Sequence, residues 1–242
     1  MSTWTKVQSN SASALGTSVT AFFHSAVTGD NLLVVKVGLT IGGSIIGPES
    51  VTDSFGNTYV KHVSQATSGG SDVQAEIWST TLSGSGTDFV LYQAAQSCLM
   101  GVEIAEYSNS GGNFGVDTVS SGTSVSQLLE TPPMAVITNN DIVTCVGAAV
   151  VDGQIFSAGV GFSLGFSQGG VSGSSVPCGC EDVINFTGSI TPTMNISASS
   201  KWTLAACAFS SSAPPPPGIM MPGILRPKTF QEPSKTASYR RG

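Results

Sequence analysis

Charge is what this sequence has least of. Only 10% of its 242 residues are Asp, Glu, Lys or Arg, against about 25% in an ordinary soluble domain. Ser, Thr, Gly and Asn supply the polarity instead, and such a neutral, hydrogen-bonding surface suits permanent assembly better than life as a free cytosolic enzyme. Histidine is limited to His24 and His62, neither in a recognisable catalytic context, and no G-x-S-x-G is present. The five cysteines are odd in number and irregularly spaced, a poor disulfide framework. Only the "CGC" at Cys178 and Cys180 is dense, and tetrahedral zinc needs a second such pair. These two thiols are expected either to pair with each other or to stand free on a loop, while Cys98, Cys145 and Cys207 sit in apolar runs as small core residues. No cofactor and no metal site is expected.

Long apolar runs are missing too. "NLLVVKVGLTI" falls far short of a bilayer span, and "MSTWTKVQSNSASALG" lacks the charged and apolar regions of a signal peptide. The expectation is synthesis in a host cytoplasm, no membrane, and exit by lysis or a dedicated machine. No stretch of convincing length has a helical period, and no repeat of fixed period stands out.

What is present reads as strand. Apolar alternation or short β-branched runs, bounded by Gly, Ser, Asn and Pro, predict strands near 3–9, 17–25, 31–40, 58–65, 73–81, 87–94, 98–107, 115–120, 140–151, 159–166, 181–187 and 200–209. In "VQAEIWSTT", Val73, Ala75 and Ile77 alternate with Gln74, Glu76 and Trp78, which suits one face on a core. "DIVTCVGAAVV" and "KWTLAACAF" are nearly continuous in small or apolar residues and fit strands covered on both sides. "TDSFGNTY" reads as a tight hairpin around Gly56 and Asn57, and 166–181 as a mobile surface loop. A dozen strands without helices predict an all-β, antiparallel two-sheet sandwich, better matched by a jelly roll than by an immunoglobulin domain.

Composition breaks at "SSAPPPP". Residues 1–210 form the expected domain and 211–242 a Pro-rich, basic, extended arm. Seven of the twelve prolines follow residue 213, and polyproline geometry would let residues 214–242 reach on the order of 90 Å. The body carries four basic and fourteen acidic residues, net −10, and the tail five basic and one acidic, net +4. An acidic body argues against nucleic acid as its ligand.

Glu103 and Glu106 in "GVEIAEYSN" are the most tempting acid–base pair, with Glu76 as a possible third carboxylate. A glycosidase needs two carboxyls flanking one bond, whereas a separation of three sends these to opposite faces of a strand. The simpler reading leaves Glu103 solvated and Glu106 at the strand end, so no catalytic residue is assigned. A glycan platform would use Trp78 and Tyr107, which fall on the polar sides of their strands, helped by Tyr59 and Tyr92.

Read together, "GDNLLVVKVGL", "VTDSFGNTYV", "EIWSTTLSGSGTDFVLY", "GVEIAEYSN" and "DIVTCVGAA" resemble, over roughly residues 28–150, a jelly-roll module of bacteriophage virion proteins and some bacterial surface proteins. The resemblance implies non-enzymatic structural service on the exterior of a phage particle, as capsid decoration, minor capsid or tail-associated protein. The partners expected are other virion subunits, major capsid or tail, gripped through residues 213–242 by Ile219, Met221, Ile224, Leu225, Arg226, Lys228, Phe230, Tyr239, Arg240 and Arg241. A homo-oligomer is expected as well, with a trimer as one compatible state. The second reading is a carbohydrate-binding host-recognition module, and the third a glycoside hydrolase.

Overall fold

A computed structural model describes residues 3–41, 49–69, 72–112, 114–171, 173 and 175–211. The arm residues named above, and all of 212–242, lie outside the described residues. The rest is all-β: two antiparallel six-stranded sheets packed face to face, as the sequence predicts.

The first half of the chain supplies one sheet: β1 (Trp4–Phe22), β2 (Leu32–Ile41), β3 (Ser50–Asp53), β4 (Val60–Ala66), β5 (Asp72–Thr81) and β6 (Phe89–Asn109). The second half supplies the other: β7 (Gly115–Glu130), β8 (Met134–Ala149), β9 (Phe156–Ala158), β10 (Ser163–Val171), β11 (Ser175–Ile190) and β12 (Thr193–Ser210). The wiring therefore runs half by half, rather than crossing between sheets as the Greek keys of a jelly roll do.

The two halves are wired identically. The first sheet runs β1-β6-β2-β5-β4 with β3 on β6; the second runs β7-β12-β8-β11-β10 with β9 on β12. The irregularities correspond as well. The β1/β6 ladder slips once between Lys6 and Gln8 and once between Gly16 and Ser18; the β7/β12 ladder slips between Val116 and Thr118 and between Ser126 and Leu128. β4/β5 slips at His62, and β10/β11 at Gly165. The pairs Leu32–Tyr107 and Lys36–Glu103 match Ile142–Phe209 and Val146–Ala205. Asp30 and Asn140, each two residues before that first aliphatic position, both adopt left-handed backbone (φ 67° and 65°), which Asp and Asn tolerate best among residues with a Cβ. Across the core β2 faces β8, β5 faces β12 and β6 faces β11, as a two-fold relation between halves requires. Trp4 stacks on its own counterpart, Phe114, with ring centroids 5.2 Å apart.

Each sheet is covered on both faces. Leu32, Val34, Ala75, Ile77, Ala105 and Tyr107 meet Ile142, Val146, Cys180, Ala205, Cys207 and Phe209 between the sheets. Past Gly16 the long β1/β6 ladder arches with β3 over the outer face, burying Val19, Val51, Val90 and Tyr92 on Leu33, Val35, Val37 and Met100. In the second half, Met134, Phe156, Met194 and Ile196 cover Val143, Cys145, Trp202 and Leu204 in the same way. Double coverage is why β2 and β12 read as continuous apolar runs.

Several expectations change. The segments 3–9 and 17–25 are one strand, as are 87–94 and 98–107, because a bulge bends each ladder without ending it. The outward residues of β5 are buried as well, beneath the arch. "TDSFGNTY" does not close a hairpin, since β3 pairs with β6 and β4 with β5. It is a crossover held by Asp53, whose carboxylate accepts from the Phe55 and Asn57 amides at 3.0 Å, from Asn57 Nδ2 at 2.6 Å and from the Tyr59 hydroxyl at 2.9 Å, with Gly56 at φ 71°. The expected mobile loop at 166–181 is mostly ladder: β10 and β11 pair from Ser163–Asp182 to Val171–Ser175. Several of its glycines serve contact: a Cβ on Gly179 would sit 2.7 Å from Phe156 and one on Gly170 2.5 Å from Pro177, whereas Gly173 takes the left-handed backbone of the turn (φ 70°).

Candidate functional site

Four charges meet where the halves join. Lys36 and Glu103 are cross-strand partners on β2 and β6, both pointing between the sheets. Asp182 reaches them from β11, and Lys6 from β1. Lys36 Nζ lies 2.8 Å from Asp182 Oδ1 and 3.0 Å from Glu103 Oε2; Lys6 Nζ lies 2.7 Å from Asp182 Oδ2 and 3.0 Å from Glu103 Oε1. The result is a closed ring of alternating sign. The Lys36 side chain is 0% exposed and that of Lys6 22%.

Four buried ions are expensive, and alternation is what offsets the desolvation. Burial works against the Lys36 ammonium, yet Asp182 and Glu103 hold its pKa well above the ordinary value. Burial likewise opposes the Asp182 carboxylate, which Lys36 and Lys6 nonetheless pull far below the usual range. Next along β11, Glu181 points to the outer face. It accepts from the Gly159 amide at 2.8 Å, but burial dominates and pushes it up to about 8, with Asp182 adding to the rise.

The open side of the ring is a cleft of about 590 Å³ lined by Lys6, Ser9, Ser163, Gly165, Asp182 and Ile184. A Cβ at Gly165 would fall 2.5 Å from Glu103 Oε1, so only glycine admits the carboxylate there. The two-fold counterpart of this cleft is lined by Val116, Val60, His62, Ser79 and Thr81, and holds about 200 Å³. His62, in the place of Gly165, fills it. Its Nε2 is 2.7 Å from Ser79 Oγ, and its ring meets the edge of Phe209. Burial lowers the His62 pKa and keeps the ring neutral near pH 7.

A second carboxylate cluster lies under the first arch. Glu76 accepts from Gln74 Nε2 at 2.5 Å, Lys61 Nζ and Trp78 Nε1 at 2.9 Å, Ser64 Oγ at 3.1 Å and the Tyr92 hydroxyl at 3.2 Å. Lys61 also pairs with Glu49. Burial and the hydrogen bond to Glu76 raise the Glu49 pKa; Glu76, despite its burial, is held low by Glu49 and Lys61. Five donors saturate the lone pairs of Glu76, so its role is structural.

The carboxylates singled out in the sequence do point to opposite faces, but neither is solvated. Glu103 is in the ring. Glu106 is fully buried and clamps the β1–β2 connection, accepting from the Thr28 amide at 2.9 Å, Asn31 Nδ2 at 2.6 Å and Gln8 Nε2 at 2.7 Å. Trp78 and Tyr107 are 7% and 0% exposed, packed under the arch and between the sheets, so neither offers the exposed ring face that glycan stacking needs. Tyr92 is buried too, and Tyr59 is spent on Asp53. All five cysteines are free and buried, which corrects the loop placement of Cys178 and Cys180. Cys178 packs onto the cross-strand glycines Gly38 and Gly101; a Cβ on the latter would meet its Sγ at 2.3 Å. Sequence reasoning missed Lys6, Lys36 and Asp182, and the one available signal was lysine and aspartate inside otherwise apolar runs.

No family model matches the chain, and no curated protein or solved structure matches it.

Proposed function

We propose that the protein is a non-enzymatic structural subunit on the exterior of a bacteriophage particle, attached to neighbouring capsid or tail subunits by residues 213–242. The observation that carries this reading is where the positive charge is spent. The body has four lysines, and each is neutralised within the body: Lys6 and Lys36 by Glu103 and Asp182, Lys61 by Glu49 and Glu76, Lys201 by Asp72. The five cations after residue 225 have a single acidic neighbour in the tail, Glu232. A cationic, proline-broken segment studded with isolated apolar residues suits the acidic surface of another subunit. Carboxylates consumed in clamps and ion pairs favour structural service over hydrolysis.

The test is removal of residues 212–242, followed by co-sedimentation with purified particles. The truncated body should fold, with an unchanged β-type circular dichroism spectrum, and be missing from the particles. Undiminished occupancy would contradict the proposal.

A further inference from the structure

The ring at the seam contains every part needed to make a covalent bond. Lys36 is a primary amine sealed from water, and its Nζ touches one oxygen of the Asp182 carboxyl, one bond from the carbon it would attack. Glu103 Oε2 lies 3.0 Å from the same Nζ and accepts no hydrogen bond of its own, which leaves a free lone pair beside the amine to take a proton. Lys6 Nζ sits on the other Asp182 oxygen, where negative charge would build up. In the ion pair Asp182 and Glu103 keep Lys36 an ammonium; once its proton has passed to a carboxylate, burial favours the neutral amine, fixed donors at a developing oxyanion lower the barrier to acyl transfer, and held reactants gain a large effective concentration.

We propose that Lys36 and Asp182 condense into an intramolecular amide, with Glu103 as proton relay and Lys6 as oxyanion partner, tying β2 of the first sheet to β11 of the second. Lys36 passes a proton through Glu103 to Asp182 Oδ1, converting the ion pair into an amine and a neutral acid. The amine attacks Cγ, the C–N bond forms, and Oδ2 carries the charge against Lys6. A second proton follows from the nitrogen through Glu103 to Oδ1, the Cγ–Oδ1 bond breaks, and one water leaves. Ammonium and carboxylate thus become amide plus water, Glu103 is regenerated, and Lys6 with Glu103 remains a neutral pair. The cleft beside Lys6 and Asp182 is the exit for the water.

The other lysines do not qualify. Lys61 has a side chain 29% exposed and faces the saturated Glu76; Lys201, 26% exposed, faces Asp72. Lys6 touches Asp182, but solvent reaches it and supports its charge. The crosslink would close a chain loop from residue 36 to 182 and resist shear between the sheets. It follows from the ring geometry alone and does not depend on the particle assignment.

The experiment is mass spectrometry of the full-length protein under denaturing conditions, with peptide mapping. The expected result is a mass one water below that of the sequence and a branched peptide joining the segments around Lys36 and Asp182. Glu103→Gln should retain the full mass while keeping its β-type circular dichroism. Wild-type protein that keeps its full sequence mass after prolonged incubation would overturn the proposal, whatever becomes of the variant. A branch point at Lys6 would overturn the assignment of the nucleophile, and a dehydrated Glu103→Gln protein the role of the relay.

Discussion

On one side of the two-fold relation, Lys6, Lys36, Glu103 and Asp182 close a ring of charges; on the other, the corresponding positions hold Val116, Val146, Ala205 and Ser79. The backbone around them is the same, down to the bulge at Gly165 and its counterpart at His62. The frame is therefore not specified by what fills these four positions. It is specified by strand order, by shared slips in the ladders and by arches that cover each sheet from outside. The same frame carries a small, mostly apolar filling at the counterpart positions, so its geometry does not call for the ring, and charges that the geometry does not call for point to a separate use.

The largest effect expected from disturbing that contrast comes from Lys36→Met. Relative to wild-type protein in which the ring is still an ion pair, it leaves Asp182 and Glu103 facing each other with one partly exposed cation, and removing one member of a buried ion pair costs about 3–5 kcal/mol; urea unfolding measures it. Next comes Gly101→Ala. The new methyl would meet Cys178 Sγ, and overpacking of this kind costs about 1–3 kcal/mol. Adding Cys178→Ala removes the clashing atom and should restore part of the loss in a double-mutant cycle. At the corresponding position in the second half stands Thr203, which already carries a side chain.

The smallest expected effect is on pH dependence. The unfolded chain deprotonates Glu181 in the ordinary carboxylate range, while the folded protein keeps its proton up to about 8. The folded state binds more protons in that window, so stability falls as pH rises from about 4.5 to 8 and levels off beyond. Glu181→Gln should flatten this slope and gain on the order of 1–2 kcal/mol near pH 8. The corresponding residue in the first half, Trp78, does not titrate, so the Glu181 contribution has no counterpart there; burial raises Glu49 and Asp88 in that half, and they add slope of the same sign at other positions.

The parts legible in the sequence were those where a local pattern carries the whole message. β2 and β12 are apolar on both faces because both faces are covered, and their runs say so. Glu103 and Glu106 separate by parity alone. Other parts were hidden for physical reasons. "SNSASALGTS" has few apolar residues, yet it is the middle of a long strand held by ladder bonds and a bulge. "FSQGGVSGSS" looks like a loop throughout, yet Gly169 and Gly170 lie in β10 against the Gln154 backbone and Pro177, and the turn comes at Gly173. The ring joins residues far apart in the chain, such as Lys36 and Asp182, and no spacing reveals such a meeting. The duplication escaped notice because counterparts diverge as far as Lys36 and Val146, while connections differ in length, 23–31 between β1 and β2 against 131–133 between β7 and β8. Only short echoes survive, such as "VSQA" at 63–66 and "FSQG" at 166–169.

The most direct measurement moves one half's filling into the other. A fourfold variant, Lys6→Val, Lys36→Val, Glu103→Ala and Asp182→Ser, is compared with Lys36→Met in equilibrium urea unfolding, neither protein being able to form the amide. If the frame is indifferent to its filling, the fourfold variant folds cooperatively and is more stable than the single one by about 3–5 kcal/mol, the cost of the stranded charge. A fourfold variant that unfolds, or that is less stable than Lys36→Met, would mean that the ring itself holds the halves together.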